Sequence, residues 1–150
     1  MAQPVPVRSP AVTIHGLEDA VAALRASGGA PITLLSAPGA ALFAGCMWWR
    51  EVVRLAHEVV PHAEATDILD CADAAGAALA ALRTGQKAIV LHATAPGREA
   101  VLAIAQGCGA IVLAEAPLTL DLATSGARRR LDRWVRAGFP DRDDTGRGVG

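Results

Sequence analysis

The stretch Ile68-Leu69-Asp70-Cys71-Ala72-Asp73, together with the residues that follow it as far as His92, decides the predicted fold. An apolar run over 66–69 ends in polar residues, an alanine-rich segment covers 74–83, and a second apolar run over 88–91 ends in His92. This order predicts a strand, a helix and a second strand, with polar side chains where each strand ends. Because parallel strands end on one edge of their sheet, where α/β proteins bind ligands, we expect the site at that edge.

The same alternation of short apolar runs and helical periodicity extends over most of the chain. Further strands are predicted at 12–14, 32–35 and 110–113, and further helices at 17–26, 39–59, 96–106 and within 121–135. The sequence therefore predicts a single α/β domain of about five parallel strands alternating with helices, either flavodoxin-like or half-barrel-like. The strands are continuously apolar, as expected for a parallel sheet that is covered on both faces.

Composition and the positions of proline and glycine divide the chain into three regions. Residues 1–10 contain three prolines and no periodic pattern, which predicts an irregular arm before the α/β domain at 11–137. Residues 138–150 are rich in glycine, aspartate and arginine, which predicts a flexible tail.

Composition excludes several classes of function. The net charge of -1 argues against a nucleic-acid-binding protein, and no apolar segment is long enough to predict a membrane helix. The N-terminus lacks the pattern of a signal peptide, and the three cysteines form no C-x-x-C pair, which together indicate a cytoplasmic protein with reduced thiols. The excess of alanine and arginine is typical of a GC-rich, bacterial genome.

Two strand-to-helix turns read Ala-Pro-Gly, at 37–39 and 95–97. Proline suits the first helical turn, and glycine lets a ligand approach the backbone, so Gly39 and Gly97 are candidates for binding a small anion at a helix start. The first turn, with the preceding Ser36, recurs 58 residues later with Thr94 in its place. Residues 21–25 recur at 79–83 with the same offset, which indicates a duplicated pair of strand-helix units. No G-x-G-x-x-G or Walker A motif is present, so no dinucleotide or nucleotide cofactor is indicated and the cofactor stays unknown.

The predicted strand ends gather polar side chains that could serve acid/base chemistry, ligand binding or a divalent metal ion. The candidate catalytic residues are Asp70, His92 and His15, and the candidate ligand-binding residues are Ser36, Gly39, Cys71, Thr94, Gly97 and Glu115. Structural roles compete with these functions. Asp73 is predicted to cap the following helix, and Ser36 and Thr94 are predicted to satisfy free amides at helix starts.

The stretch 69–92 resembles one strand-helix-strand unit of the class II aldolase type of TIM barrel. That family has Leu-Asp-His-Gly at a strand end, and Leu69-Asp70-Cys71-Ala72 stands at the matching place, with Leu82 and Gly85 at the family's spacing before the next strand. The resemblance implies that Asp70 transfers protons and that Cys71 replaces a zinc-binding histidine. The chain is too short for eight such units, so we interpret the likeness as a shared building unit.

Two functional hypotheses remain open from the sequence. The first is a protein that binds a small molecule or phosphate at the carboxyl ends of the strands, with enzymes included in this class. The second is a non-catalytic interaction or regulatory module that works as an oligomer. The segment 39–60 is apolar over most of its circumference, which predicts a homodimer with Trp48 or Trp49 at its interface.

Overall fold

The computed structural model describes residues 7–138, which form a single α/β domain around one six-stranded, all-parallel sheet. The strands are β1 (Ala11–Ile14), β2 (Ile32–Ser36), β3 (Ala65–Asp70), β4 (Ala88–Val90), β5 (Ile111–Leu113) and β6 (Leu120–Asp121). The helices are α1 (Leu17–Ser27), α2 (Ala40–Phe43), α3 (Cys46–Val59), α4 (Ala75–Arg83), α5 (Arg98–Cys108) and α6 (Ala127–Ala137). The predicted tail, apart from Gly138, and residues 1–6 of the predicted arm lie outside the described residues.

The strand order is β5-β4-β3-β2-β1-β6. The first five strands are therefore added side by side in chain order, as in half of a barrel. Since parallel crossovers are right-handed, crossovers that all move in one direction place their helices on one face of the sheet. The helix contacts agree with this, because α3 packs on α1 and α4, α5 packs on α4, and α6 packs on α1. Of the two predicted alternatives, the half-barrel-like arrangement fits this order.

The two faces of the sheet have different cores. On one face, strand residues such as Val12, Leu34 and Ile89 pack with buried residues of the helices. On the opposite face, Leu35, Ile68, Ala88 and Val90 form a smaller cluster to which no described helix contributes. We call this second surface the open face. Neighbouring residues of a strand point to opposite faces, so β2, β3 and β4 each supply buried residues to both cores.

Alanine accounts for much of the helix face of the core. The fully buried helix positions are mostly alanines, at 20, 23, 40, 56, 78, 81, 105 and 127. Small side chains let the helices approach the sheet closely, and they leave little room for large ones. Leu24, Trp49 and Val101 are exceptions, and Trp49 of α3, at 0% exposed, is the largest of the fully buried side chains.

The structure corrects the predicted course of two segments. The predicted helix 39–59 is two helices, because the chain turns at Ala44 and at Gly45, whose φ of 91° lies in the left-handed region that glycine favours. A sixth strand, β6, occupies the start of the region assigned to the last helix, and that helix begins only at Ala127. A two-residue strand is too short to leave a periodic signal in the sequence.

The connection from β5 to β6 joins opposite edges of the sheet. The path from Leu113 to Leu120 reaches at most about 25 Å when extended, and the five strand spacings it crosses amount to about 24 Å in a flat sheet. Helices occupy the other face, and the hydroxyl of Thr119 lies 2.6 Å from that of Thr13 on the open face of β1. We infer that the connection 114–119 crosses the carboxyl half of the open face.

The two copies of the repeated sequence occupy equivalent places. Residues 21–25 and 79–83 lie on α1 and α4, each of which follows the first strand of its pair. The two Ala-Pro-Gly turns follow β2 and β4, and Gly39 and Gly97 have similar left-handed φ values of 70° and 81°. This equivalence agrees with the predicted duplication. Among residues 7–138, every helix is too short or too polar to cross a membrane.

Candidate functional site

The carboxyl ends of the strands lie on one edge of the sheet, as predicted. Ile14 pairs with Ser36, Asp70 with Val90, and Val90 with Leu113, all in parallel register. The side chains predicted to lie at one end of the sheet therefore do so: His15, Ser36, Asp70, His92 and Glu115. We call this the carboxyl edge.

Asp70 is built into the carboxyl edge by three hydrogen bonds. Its Oδ1 accepts from the amide of Ala72 at 2.8 Å and from the amide of Gly39 at 3.1 Å, and its own amide donates to Ser36 Oγ at 2.9 Å. The residue is 4% exposed. The carboxylate thus joins the turn after β3 to the turn after β2. This contact explains why an aspartate stands there, and it uses one carboxylate oxygen for a positioning role.

The turn that follows Asp70 holds an alanine in an unfavourable conformation. Ala72 has a φ of 51°, and it is the one non-glycine residue with positive φ in the described chain. Its carbonyl accepts a hydrogen bond from the amide of His92 at 2.8 Å, and its amide is bound by Asp70. Hydrogen bonds from two neighbouring strands therefore hold Ala72 in place. The strain lies at the centre of the carboxyl edge, where such strain commonly accompanies function.

We expect Ala72→Gly to stabilise the protein slightly. The left-handed conformation costs a non-glycine residue about 1–2 kcal/mol, while glycine adds about 0.5–1 kcal/mol of unfolded-state entropy. The expected net gain is about 0.5 kcal/mol in the free energy of unfolding, measured by urea denaturation. The control is Ala80→Gly in the exposed middle of α4, which should lose about 1 kcal/mol. A loss of stability in Ala72→Gly equal to that of the control would contradict the strain.

Cys71 points away from the carboxyl edge. Its side chain is 0% exposed in the helix-face core, and its Sγ lies 3.8 Å from the carbonyl of Leu69. Burial, with smaller contributions from Asp70 and Cys46, raises the pKa of the Cys71 thiol to about 12. Because the thiolate is the form that binds zinc, a protonated and enclosed thiol does not suit the ligand role that the aldolase resemblance implies. We therefore leave Cys71 out of the proposed site.

The raised pKa of Cys71 predicts how stability depends on alkaline pH. In the unfolded chain the thiol releases its proton near pH 9, whereas in the folded chain it keeps it to about pH 12. The folded state then binds more protons, so stability should fall as pH rises above about 9. Cys71→Ala should flatten this fall, as seen in urea midpoints between pH 7.5 and about 10.5. The chain has no tyrosine and a single lysine, so few other groups titrate there. Equal slopes in both proteins would contradict the prediction, and Cys108→Ala, at an exposed thiol, is the control.

His15 forms a pair that the sequence did not suggest. Its Nε2 lies 2.6 Å from Oδ1 of Asp121, and both side chains are about one-third exposed. Partial burial tends to raise the pKa of Asp121, but the hydrogen bond from the Ala123 amide and the contact with His15 outweigh it and lower the pKa. The His15 amide donates to Asp19, whose carboxylate also accepts from Arg128 at 2.6 Å. Asp121 therefore positions the side chain of His15, and Asp19, in the first turn of α1, binds both the His15 amide and Arg128.

The turn between β4 and α5 carries the other free polar groups of the carboxyl edge. His92 and Thr94 are exposed there, and Gly97 precedes the first turn of α5. Arg98, half-buried, donates from Nε to the carbonyl of Leu91 at 3.1 Å. This bond fixes the base of the guanidinium group at the end of β4. Among the described residues, the rest of that group makes no ion pair or hydrogen bond.

The predicted candidates share an edge but do not converge on one point. His15 follows β1 and His92 follows β4, and these two strands are three positions apart in the sheet, about 14 Å at the usual strand spacing. Glu115 is exposed on the connection that leaves β5. Within residues 7–138, no three histidine, cysteine or acidic side chains are placed to hold a metal ion. The described part of the chain thus offers no support for the divalent metal that the sequence left open.

The capping roles predicted from the sequence are wrong in detail. Asp73 is exposed, and the residue that caps α4 is Ala74, which makes no side-chain cap. Ser36 binds the Asp70 amide and donates to the carbonyl of Ala37 at 3.1 Å, and neither Ser36 nor Thr94 caps a helix start. The two residues that sequence reasoning missed are Asp121 and Arg98. The one available signal for Arg98 was its position directly after Ala-Pro-Gly.

The chain was compared with protein-family models and with curated protein sequences, and neither comparison gives a match. The function of this α/β domain is therefore inferred from the geometry of its own residues.

Proposed function

We propose that the protein binds a small anionic molecule, carrying a phosphate or carboxylate group, at the turn between β4 and α5. The observation that carries this proposal is the placement of Arg98. Its Nε is bound to the Leu91 carbonyl at 3.1 Å, and its terminal nitrogens have no partner among the described residues. A positively charged group so placed at the start of a helix is unfavourable by itself, because the helix dipole is also positive there. An anion between them removes that conflict.

The surroundings of Arg98 offer several donors to an anion, beside the carboxylate of Glu99 in the same first turn of α5. The first turn of α5 presents backbone amides that have no partner within the helix, and these bind anionic oxygens well. Gly97, with its φ of 81°, turns the chain into this helix, and a Cβ there would meet the side chain of Ala75 at 3.4 Å. His92 and Thr94 add an imidazole and a hydroxyl group, both exposed, within the same turn. Together these groups form a recognition site for one phosphate or carboxylate group.

The same arrangement assigns different roles to the three candidate catalytic residues. Asp70 positions the turns after β2 and β3, because its Oδ1 binds two amides. His92 stands beside the proposed anion site and is our candidate acid or base for a bound substrate. His15, oriented by Asp121 at 2.6 Å, is a second acid/base candidate, which a ligand extending along the edge from β4 to β1 would contact. The three described cysteines are free thiols, which agrees with a cytoplasmic location.

Binding of inorganic phosphate and of glycerol phosphate, measured by calorimetry, tests the anion site. Replacing Arg98 by glutamine should weaken the binding of either anion by about tenfold or more, since hydrogen bonds to charged groups contribute about 1.5–3 kcal/mol. The matched control is Arg83→Gln, an exposed arginine in the last turn of α4 at the opposite end of the sheet. Equal affinity in wild type and Arg98→Gln, or equal losses in both variants, would overturn the site.

A second function, the oligomeric interaction module, is supported by an exposed apolar patch. Leu42, Phe43 and Met47, which we call the α2 patch, are 60%, 71% and 64% exposed. Soluble monomers seldom expose large side chains in such a group. Trp49 is enclosed in the core and Trp48 is half-buried against it, so a dimer interface on this segment would consist mainly of the α2 patch. We propose this patch as the contact of a homodimer.

Sedimentation decides whether the α2 patch mediates self-association. Phe43→Lys should convert a dimer to a monomer at tens of micromolar protein, because the charge would be buried in an apolar interface. The control is Val59→Lys, which changes a half-exposed apolar residue at the far end of α3 and should leave the mass unchanged. A wild-type monomer at that concentration would contradict the proposal.

A further inference from the structure

The open face of the sheet contains a groove at the amino-terminal half of the strands. It has a volume of about 370 Å³ and is bounded by residues 7–9 on one side. Its floor runs from Thr33 near the start of β2 through Ile68 and Ala88 to Ile111 and Leu113 of β5. No residue of the turn between β4 and α5 is among its described lining residues, so the groove is separate from the site at Arg98.

Residues 7–10 are attached to the sheet and form a defined wall. The Thr33 amide donates to the Pro10 carbonyl at 2.9 Å, and the hydroxyls of Ser9 and Thr33 are 2.6 Å apart. Val7 packs against the cluster of Leu35, Ile68, Ala88 and Val90. The groove therefore lies between an attached segment and a sheet, and its volume falls in the range of about 300–1,000 Å³ that is usual for ligand pockets.

Polarity in the groove is distributed unevenly. Apolar side chains form most of the surface, and the one charged residue among the described lining residues is Arg8. Arg8 is exposed and makes no ion pair within residues 7–138. An apolar cavity with a single cation at its rim is complementary to a molecule with an apolar body and one negative group.

We propose that this groove binds a small amphipathic carboxylate, with its hydrocarbon chain along Ile111 and Leu113 and its carboxylate at Arg8. Ile68 and Ala88 in the floor of the groove are only 1% and 5% exposed, whereas Ile111 is 38% exposed and offers apolar surface to a ligand. A second copy of the chain fits less well. Its own open face has the same concave groove, and two concave surfaces leave a space between them.

Decanoate is the probe, added to the full-length protein and followed by calorimetry and by amide NMR shifts. We expect saturable one-to-one binding, with shifts at Thr33, Thr66, Ile68 and Leu113. Decanol, which lacks the charge, should bind about tenfold more weakly if the carboxylate contacts Arg8. Arg8→Glu should weaken decanoate binding by about tenfold and Arg8→Lys much less, because lysine keeps the charge.

A second pair of variants tests the cavity itself. Thr66 is exposed at the rim of the groove, so Thr66→Trp should fill the cavity without disturbing the core and should abolish decanoate binding. His62→Trp adds the same side chain at an exposed position outside the groove and should bind as wild type does. Arg98→Gln should leave the decanoate-induced shifts at Thr33, Thr66 and Ile68 unchanged, which separates binding in this groove from binding of the carboxylate at the anion site. No saturable binding, unchanged binding in Thr66→Trp, or shifts confined to the carboxyl edge would each overturn the proposal.

Discussion

Trp49→Ala is expected to lower the free energy of unfolding by about 3–5 kcal/mol, the largest effect of any single change considered for this domain. The indole is 0% exposed and belongs to a core whose buried helix positions are largely alanines. Such a core has few long side chains that could move to fill the space left behind. Since small domains are stable by only about 5–15 kcal/mol, this loss removes a large share of the total.

The indole also donates a hydrogen bond, and Trp49→Phe separates that contribution from volume. Trp49 Nε1 donates to Asp67 Oδ2 at 3.0 Å, and the same oxygen accepts from Gln86 Nε2 at 2.8 Å. Phenylalanine removes the first bond, but the carboxylate keeps the second. The expected loss for Trp49→Phe is therefore about 1–2 kcal/mol.

The neighbouring indole provides the control for Trp49. Trp48 is half-buried, its ring centre is 6.3 Å from that of Trp49, and truncating it should cost about 1–2 kcal/mol. Urea denaturation followed by far-ultraviolet circular dichroism measures all three variants, because this signal does not depend on the tryptophans that are removed. A loss in Trp48→Ala as large as that in Trp49→Ala would contradict the proposed packing.

The sequence predicted the repeated strand-helix units because each unit leaves a strong local pattern. The apolar runs that end at Leu69 and Leu91 are short and bounded by polar residues, and both correspond to strands in the structure. The break between α2 and α3 was missed because Gly45 stands within a continuous apolar stretch, where glycine alone does not predict a helix end. Strand β6 depends on pairing with β1, which is a tertiary contact without a local signal.

The sequence predicted the edge of the sheet on which the candidate residues lie, but it did not predict which residues lie next to each other there. Parallel pairing alone places His15, Asp70 and His92 on one edge, whatever the order of the strands. The distance between two strand ends along that edge depends on the strand order, and local sequence patterns do not reveal that order. The order observed brings Asp121 beside His15 and places His92 three strands away.

The role of Asp70 is defined by its hydrogen bonds, which its position in the sequence does not reveal. Its position directly after a buried strand suggested a functional role, which the aldolase resemblance implied to be proton transfer. The structure shows its Oδ1 bound by the amides of Gly39 and Ala72. A carboxylate that satisfies two amides stabilises the fold whether or not it also contacts a ligand. Substitutions at this position must therefore be judged by stability before activity.

Asp70→Ala is expected to lower the free energy of unfolding by about 2–4 kcal/mol, because two amides at the carboxyl edge lose their acceptor. Asp70→Asn keeps an acceptor oxygen in place and should lose about 1 kcal/mol, mainly the charge-assisted part of the two bonds. Ser36→Ala removes the acceptor for the Asp70 amide and should fall between these two variants. Urea denaturation at neutral pH measures the series. If Asp70→Ala is as stable as wild type, the two hydrogen bonds do not support the turns after β2 and β3. If Asp70→Asn keeps the stability and phosphate affinity of wild type, the role of Asp70 is to position these turns, and its charge is not required for ligand binding.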